Sequence, residues 1–212
     1  MSYDLEEQEQ LAQIKHFWAQ YGNLITWALI AVLGAFAAYN GWNWYRADRS
    51  SKAAAVFDEL ERAVQAKDAA KVEQVFGDLR ERFGGTAFAQ MGALAAAKGL
   101  ADNGKLEQAE AALRWAADKS VDPEYRALAR LRLAGLLLQR KQYDEALKLV
   151  ETAPVASMAP LYADRRGDIL WAQGKNKEAA AEFKKALDGF DKTIMYRDFV
   201  ELKLNAAGGA AS

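Results

Sequence analysis

From Phe17 to Tyr45 the chain runs 29 residues without an aspartate, glutamate, lysine or arginine. As an α-helix this stretch is about 43 Å long at ~1.5 Å per residue. A bilayer's hydrocarbon core needs only about 20 apolar residues, so Leu24 to Ala38 fills the centre and the ends reach the interfaces. Trp18 and Tyr21 stand at one boundary, and Trp42, Trp44 and Tyr45 at the other, where amphipathic rings rest at headgroup level. Between them Leu24, Trp27, Leu29, Ile30, Val32, Leu33 and Phe36 supply the apolar side chains of the span. Two other readings compete. A buried core helix is usually shorter and bounded by caps. A cleaved signal peptide would use Ala35-Phe36-Ala37, but it wants a basic leader, and residues 1–16 hold Asp4, Glu6, Glu7 and Glu9 against Lys15. The expectation is an uncleaved anchor over residues 17–45, preceded by a short polar tail, 1–16.

The charge bias places this anchor ambiguously. Lys15 alone precedes the span, whereas Arg46, Arg49, Lys52 and Arg62 follow it closely, which on loop statistics puts the following domain in the cytoplasm. The rule is weaker for long translocated domains. Over the whole chain 28 basic residues face 29 acidic ones. That balance gives no global field for capturing a polyanion and argues against a nucleic-acid partner. With no cysteine, disulfides, thiolate zinc sites, thiol catalysis and a lipid-modified N-terminus are excluded.

Residues 46–204 read as all-α. Alternating Val, Ile and Thr runs are missing, and good helix formers dominate. Asp122-Pro123 is an N-cap followed by proline at the first helical position, and Pro154 and Pro160 bracket another break. Val72, Ala109, Ala146 and Ala179 hold equivalent places at steps of 37, 37 and 33 residues. Four positions on, Phe76, Leu113, Val150 and Phe183 are large and apolar. Three further, Leu79, Ala116, Ala153 and Ala186 are apolar again, which makes one helix face. Upstream, apolar helices end in short polar turns at Asn103-Gly104-Lys105, Arg140-Lys141-Gln142 and Gln173-Gly174-Lys175. Such a period, with helix, turn and helix repeating, resembles the tetratricopeptide repeat. An ordinary helical bundle is the competing architecture. Stacking is favoured because each helix pair buries too little alone. Residues 205–212, Asn-Ala-Ala-Gly-Gly-Ala-Ala-Ser, read as a flexible C-terminal tail.

The chemistry of catalysis is sparse. The single histidine, His16, lies at the membrane edge with no second imidazole for a metal pair or a Ser-His nucleophile. Asp58/Glu59/Glu61, Glu107/Glu110 and Glu178/Glu182 lie beside lysines and arginines and read as solvated helix faces. Gly84-Gly85 reads as a helix terminator, and no phosphate-binding glycine motif occurs. Arg166-Gly167-Asp168 falls inside a predicted helix and reads as a chance match to an adhesion tripeptide. No catalytic residue, cofactor, metal or small-molecule substrate is expected. The reading is a binding protein, with Tyr125, Arg126, Arg130, Tyr162, Arg165 and Arg166 as candidates for a groove that holds acidic or aromatic segments of a protein partner.

The acidic N-terminus followed by Ile14-Lys15-His16-Phe17-Trp18-Ala19-Gln20-Tyr21-Gly22-Asn23 resembles the start of the YfgM-like family of ancillary SecYEG translocon subunits. Tyr39 to Arg46, Leu131-Arg132-Leu133-Ala134 and Ala163-Asp164-Arg165-Arg166-Gly167-Asp168 follow in the same order as that family's features. The resemblance implies a single-pass protein of the bacterial inner membrane, with its N-terminus cytoplasmic and its repeat domain periplasmic, against the positive-inside count. It implies association with the SecYEG channel and with PpiD, a membrane-anchored periplasmic chaperone, and non-covalent contact with secretory chains. Wider similarity to anchored repeat scaffolds, such as those of cytochrome c biogenesis, keeps a purely structural role open.

Overall fold

Charge-free length followed by alanine-rich repeats produces two kinds of helix in the computed structural model, which describes residues 3–209, with side chains from Glu9 onward. Contacts divide the chain into residues 1–49 and 50–212.

The first unit is carried by helix α1, Tyr3–Gln65. No break occurs at 16 or at 45: the expected tail is helical from Tyr3, and the helix continues past Tyr45 into the second unit's residues. Leu, Glu, Gln and Ala are all good helix formers, so nothing in residues 3–16 stops the helix. α1 holds one stretch long and apolar enough to cross a membrane. All twelve anchor side chains, from Trp18 to Tyr45, are exposed, including Leu24 at 69% and Phe36 at 67%. A water-soluble core helix would bury them. Within the span, Thr26 Oγ1 donates to the Gly22 carbonyl at 2.7 Å and Asn40 Nδ2 to the Phe36 carbonyl at 2.8 Å. Each thus places a donor on the helix's own backbone, which suits a lipid environment.

In the second unit the end of α1 is followed by α2 (Ala69–Phe83), α3 (Ala87–Asp102), α4 (Leu106–Lys119), α5 (Pro123–Gln139) and α6 (Tyr143–Leu149). A 3-10 turn at Ala156–Met158 then leads to α7 (Ala159–Ala172), α8 (Asn176–Gly189) and α9 (Tyr196–Ala206). From α2 onward successive helices pack on one another, and α3, α5 and α7 also touch in sequence, forming an inner row with α2, α4, α6 and α8 behind it. The back row carries the repeat register. Val72, Ala109, Ala146 and Ala179 are all 0% exposed, and Phe76, Leu113, Val150 and Phe183 are buried one turn on. Ala153 leaves the pattern because α6 stops at Leu149. Proline at 154 has no N–H and disfavours helix at the residue before it. Pro160 starts α7 rather than breaking a helix, and Asp122 accepts from the Glu124 amide above Pro123, the expected cap.

The turns repeat too. Residues 67, 104, 141 and 174 all have positive φ, as Lys67, Gly104, Lys141 and Gly174. At each, the residue's own amide bonds the carbonyl three back and the next amide bonds the carbonyl five back, for example Gly104 to Ala101 and Lys105 to Leu100. This is the left-handed helix stop that glycine adopts freely. The positions recur with the spacing of the buried register, so the first helix pair, the end of α1 with α2, is joined by the same turn as the later ones.

α9 closes the array. Val200, Leu204 and Ala207 pack with Phe183 and Leu187 of α8. Asn205 and Ala206 belong to this helix and Ala207 is buried, so the expected tail is anchored as far as Ala207. Residues 210–212 lie outside the described residues.

Candidate functional site

The inner row presents a cavity of about 380 Å³. Leu94, Ala97, Lys98 and Ala101 of α3 line one wall, at the i, i+3, i+4, i+7 spacing of a single helix face. Arg132, Gly135, Leu136 and Gln139 of α5 line the other at the same spacing, and Arg165 enters from α7. Ala109 and Leu113 of α4 form the floor. Alanine and glycine walls leave the space open, and leucines make it apolar.

Three cations border this hollow. Among the described residues Lys98 has no carboxylate within ion-pair distance, and Arg132 reaches only the Leu94 carbonyl, at 3.5 Å. Arg165 Nη1 lies 3.5 Å from Asp168 Oδ2, and its Nε is buried without a hydrogen-bond partner. A Cβ at 135 would stand 3.3 Å from Arg165 Nη1, so the glycine lets the guanidinium lie close against α5. Three other bridging arginines are matched to carboxylates. Arg114 pairs with Glu110 at 2.8 Å and Glu145 at 2.6 Å, Arg140 also pairs with Glu110, and Arg166 bonds Glu182 at 2.8 Å.

Of the six side chains that the sequence suggests for a groove, only Arg165 lines the cavity. Tyr162 is 0% exposed, with its hydroxyl donating to the Ala127 carbonyl at 2.8 Å, and burial pushes its phenol up to about 12. It is a core residue that bolts α7 to α5. Arg166 donates to the Val150 carbonyl at 2.6 Å as well as to Glu182, so it ties α7 to the irregular end of α6. Arg126 donates to the Ser120 carbonyl at 2.7 Å and holds the turn between α4 and α5. Tyr125 packs half-buried against the main core, and the charge of Arg130 works against the burial that raises the Tyr162 phenol. Lys98, Gly135 and Gln139 were not singled out by sequence. The repeat register held a signal for the arginines: Arg132 and Arg165 are 33 apart, the last repeat step, and so occupy equivalent places.

A second polar cluster ties α9 to α7. Lys203 Nζ meets Asp164 Oδ1 and Asp168 Oδ1, each at 2.8 Å, and the Tyr196 hydroxyl donates to Asp164 Oδ2 at 2.7 Å. Burial drives the Asp168 carboxyl above its usual range, against the pull of Lys203. The ammonium also sits 4.9 Å from the Phe199 ring centroid. Every member is engaged by another, so this cluster is a clasp.

A family model described as a tetratricopeptide repeat-like domain matches residues 15–209. An ancillary SecYEG translocon subunit of Neisseria gonorrhoeae is 30% identical over 210 residues, covering 97% of this chain and 99% of the relative. The chain belongs to this family of tetratricopeptide-like translocon subunits. Two further relatives of the same description, from Escherichia coli and Haemophilus influenzae, are each 28% identical, covering 94% and 97% of this chain and 95% and 99% of their own. The family's likeness extends over the apolar helix, the repeats and the groove-bearing row alike.

Proposed function

We propose that this protein is an ancillary subunit of the SecYEG translocon, anchored in the inner membrane by α1, whose inner-row groove holds protein segments non-covalently. The observation that carries the reading is an apolar hollow on the inner row of an anchored repeat domain whose relatives are described as translocon subunits over nearly their full length. The occupants are a membrane-anchored chaperone resembling PpiD and secretory chains leaving the channel. Tethering raises the effective concentration of groove and client at one membrane, so modest affinity suffices. The orientation that goes with this role has a cytoplasmic N-terminus and a periplasmic repeat domain.

Photocrosslinking in intact membranes tests it. Probes replacing Lys98 or Gln139, which border the hollow, are expected to capture translocon components or secretory proteins, while a probe at Lys184 on the exposed back of α8 is not. Capture of neither from the groove positions overturns the role.

A further inference from the structure

We infer that the groove selects segments in which an internal aspartate or glutamate adjoins apolar side chains, with Arg165 as the anchor for the carboxylate and Arg132 and Lys98 flanking it. The inference rests on the proposed binding role of this groove and names the chemistry of its occupant.

Charge complementarity carries the argument. The cavity-lining residues include three cations and no carboxylate. Among the described residues two of those cations have no acidic partner, and the third has only the long 3.5 Å approach of Asp168. Asp168 is itself held by Lys203 at 2.8 Å, so its charge is shared away from Arg165. The Arg165 side chain is 30% exposed and lines the cavity, so its outer N–H groups take an acceptor that comes from the groove. A carboxylate arriving in the groove supplies one, and it meets a planar fork suited to bidentate contact. Burying that acid beside Leu94, Leu113 and Leu136 requires its neighbours to be apolar, since the walls offer few other hydrogen bonds. Both wall stripes run two turns along their helices, which suits a chain passing through rather than a chain end.

The test is selection of ten-residue random peptides, displayed on phage with both ends fused so that no terminal carboxylate is free, against the full chain in phospholipid nanodiscs. Enriched peptides are expected to carry aspartate or glutamate within two positions of leucine, valine or phenylalanine. A synthetic enriched peptide with an amidated end is expected to bind at least tenfold more tightly than its Asp→Asn or Glu→Gln counterpart, with affinity falling as salt rises. The Lys98→Gln/Arg132→Gln variant changes two exposed side chains and leaves the core alone, so it keeps its fold. It and Arg165→Gln are each expected to weaken binding at least several-fold and to shrink the acid-to-amide ratio, whereas Arg114→Gln leaves both unchanged. Equal binding of acid and amide peptides, enrichment of basic or purely apolar peptides, no enrichment at all, or a requirement for a free C-terminus overturns the inference. The proposed translocon role stands or falls separately, on the membrane crosslinks.

Discussion

Tyr162 shows what a single side chain contributes here. Its hydroxyl is the only polar part of an otherwise enclosed ring, and it reaches the Ala127 carbonyl across two helices. Tyr162→Phe leaves that carbonyl without its donor and is expected to cost about 1–2 kcal/mol, read by urea unfolding of the full chain in detergent, with no loss of peptide binding. Five residues along α7, Gly167 fills a comparable structural role by being absent: a Cβ there would lie 2.5 Å from the Phe183 ring. Gly167→Ala is expected to destabilise by about 1–3 kcal/mol, because neither ring nor helix can move without repacking; an unchanged unfolding midpoint would contradict the packing described. The sequence mislocated Tyr162 because tyrosine is amphipathic and suits a groove or a core equally well. Its register partner one repeat earlier, Ala129, and Gly92 before that, are buried small residues. Equivalence of position, applied to the inner row as it was to the back row, points to burial.

Helices and turns follow simpler rules. The back-row positions were legible because one face meets one environment, and small or large apolar residues recur there at the repeat step. The exception, α6, is cut short by proline at 154, a local signal that the periodicity overrode. At the turns, lysine occupies the left-handed conformation at 67 and 141, with φ of 55° and 59°, where glycine stands at 104 and 174. A side chain in that conformation costs about 1 kcal/mol, so Lys141→Gly is expected to stabilise by about 0.5–1 kcal/mol and Gly104→Ala to destabilise by a similar amount, both measured by urea midpoint. The helix-bridging carboxylates give opposite pH responses. Burial raises Glu182, but hydrogen bonds from Lys185 and Arg166 outweigh it, and its carboxyl stays below the usual range. Its contribution is therefore present above the unfolded carboxylate range and is lost as pH falls through the folded value. Asp168, raised chiefly by burial, works the other way: the folded state holds its proton more tightly, and stability is lost as pH rises from about 4 through the folded value. Thermal unfolding between pH 3.5 and 7 is expected to show Glu182→Gln increasingly destabilised relative to the parent as pH rises, and Asp168→Asn decreasingly so. Parallel pH profiles for both variants would refute these assignments.

For the molecule as a whole, the apolar helix and the helical repeats were both readable from composition and period alone, because each satisfies a single bulk constraint. The cavity on the inner row was not, since it depends on which faces of four separate helices converge. The absence of cysteine makes the whole-chain orientation directly measurable. Single replacements Gln13→Cys and Ser157→Cys flank the span, and both sites are exposed. In intact cells an impermeant maleimide is expected to label the second and spare the first; the reverse pattern would give the orientation favoured by the basic residues after the span. The distribution of labour along the inner helices has one more consequence. Buried alanines such as Ala93, Ala96 and Ala134 fill the contacts of α3 and α5, while Lys98, Arg132 and Gln139 are exposed at the groove and contribute little to the core. Such a frame can be re-addressed to a different cargo by exchanging a handful of protruding groups, and the scaffold beneath would not register the change.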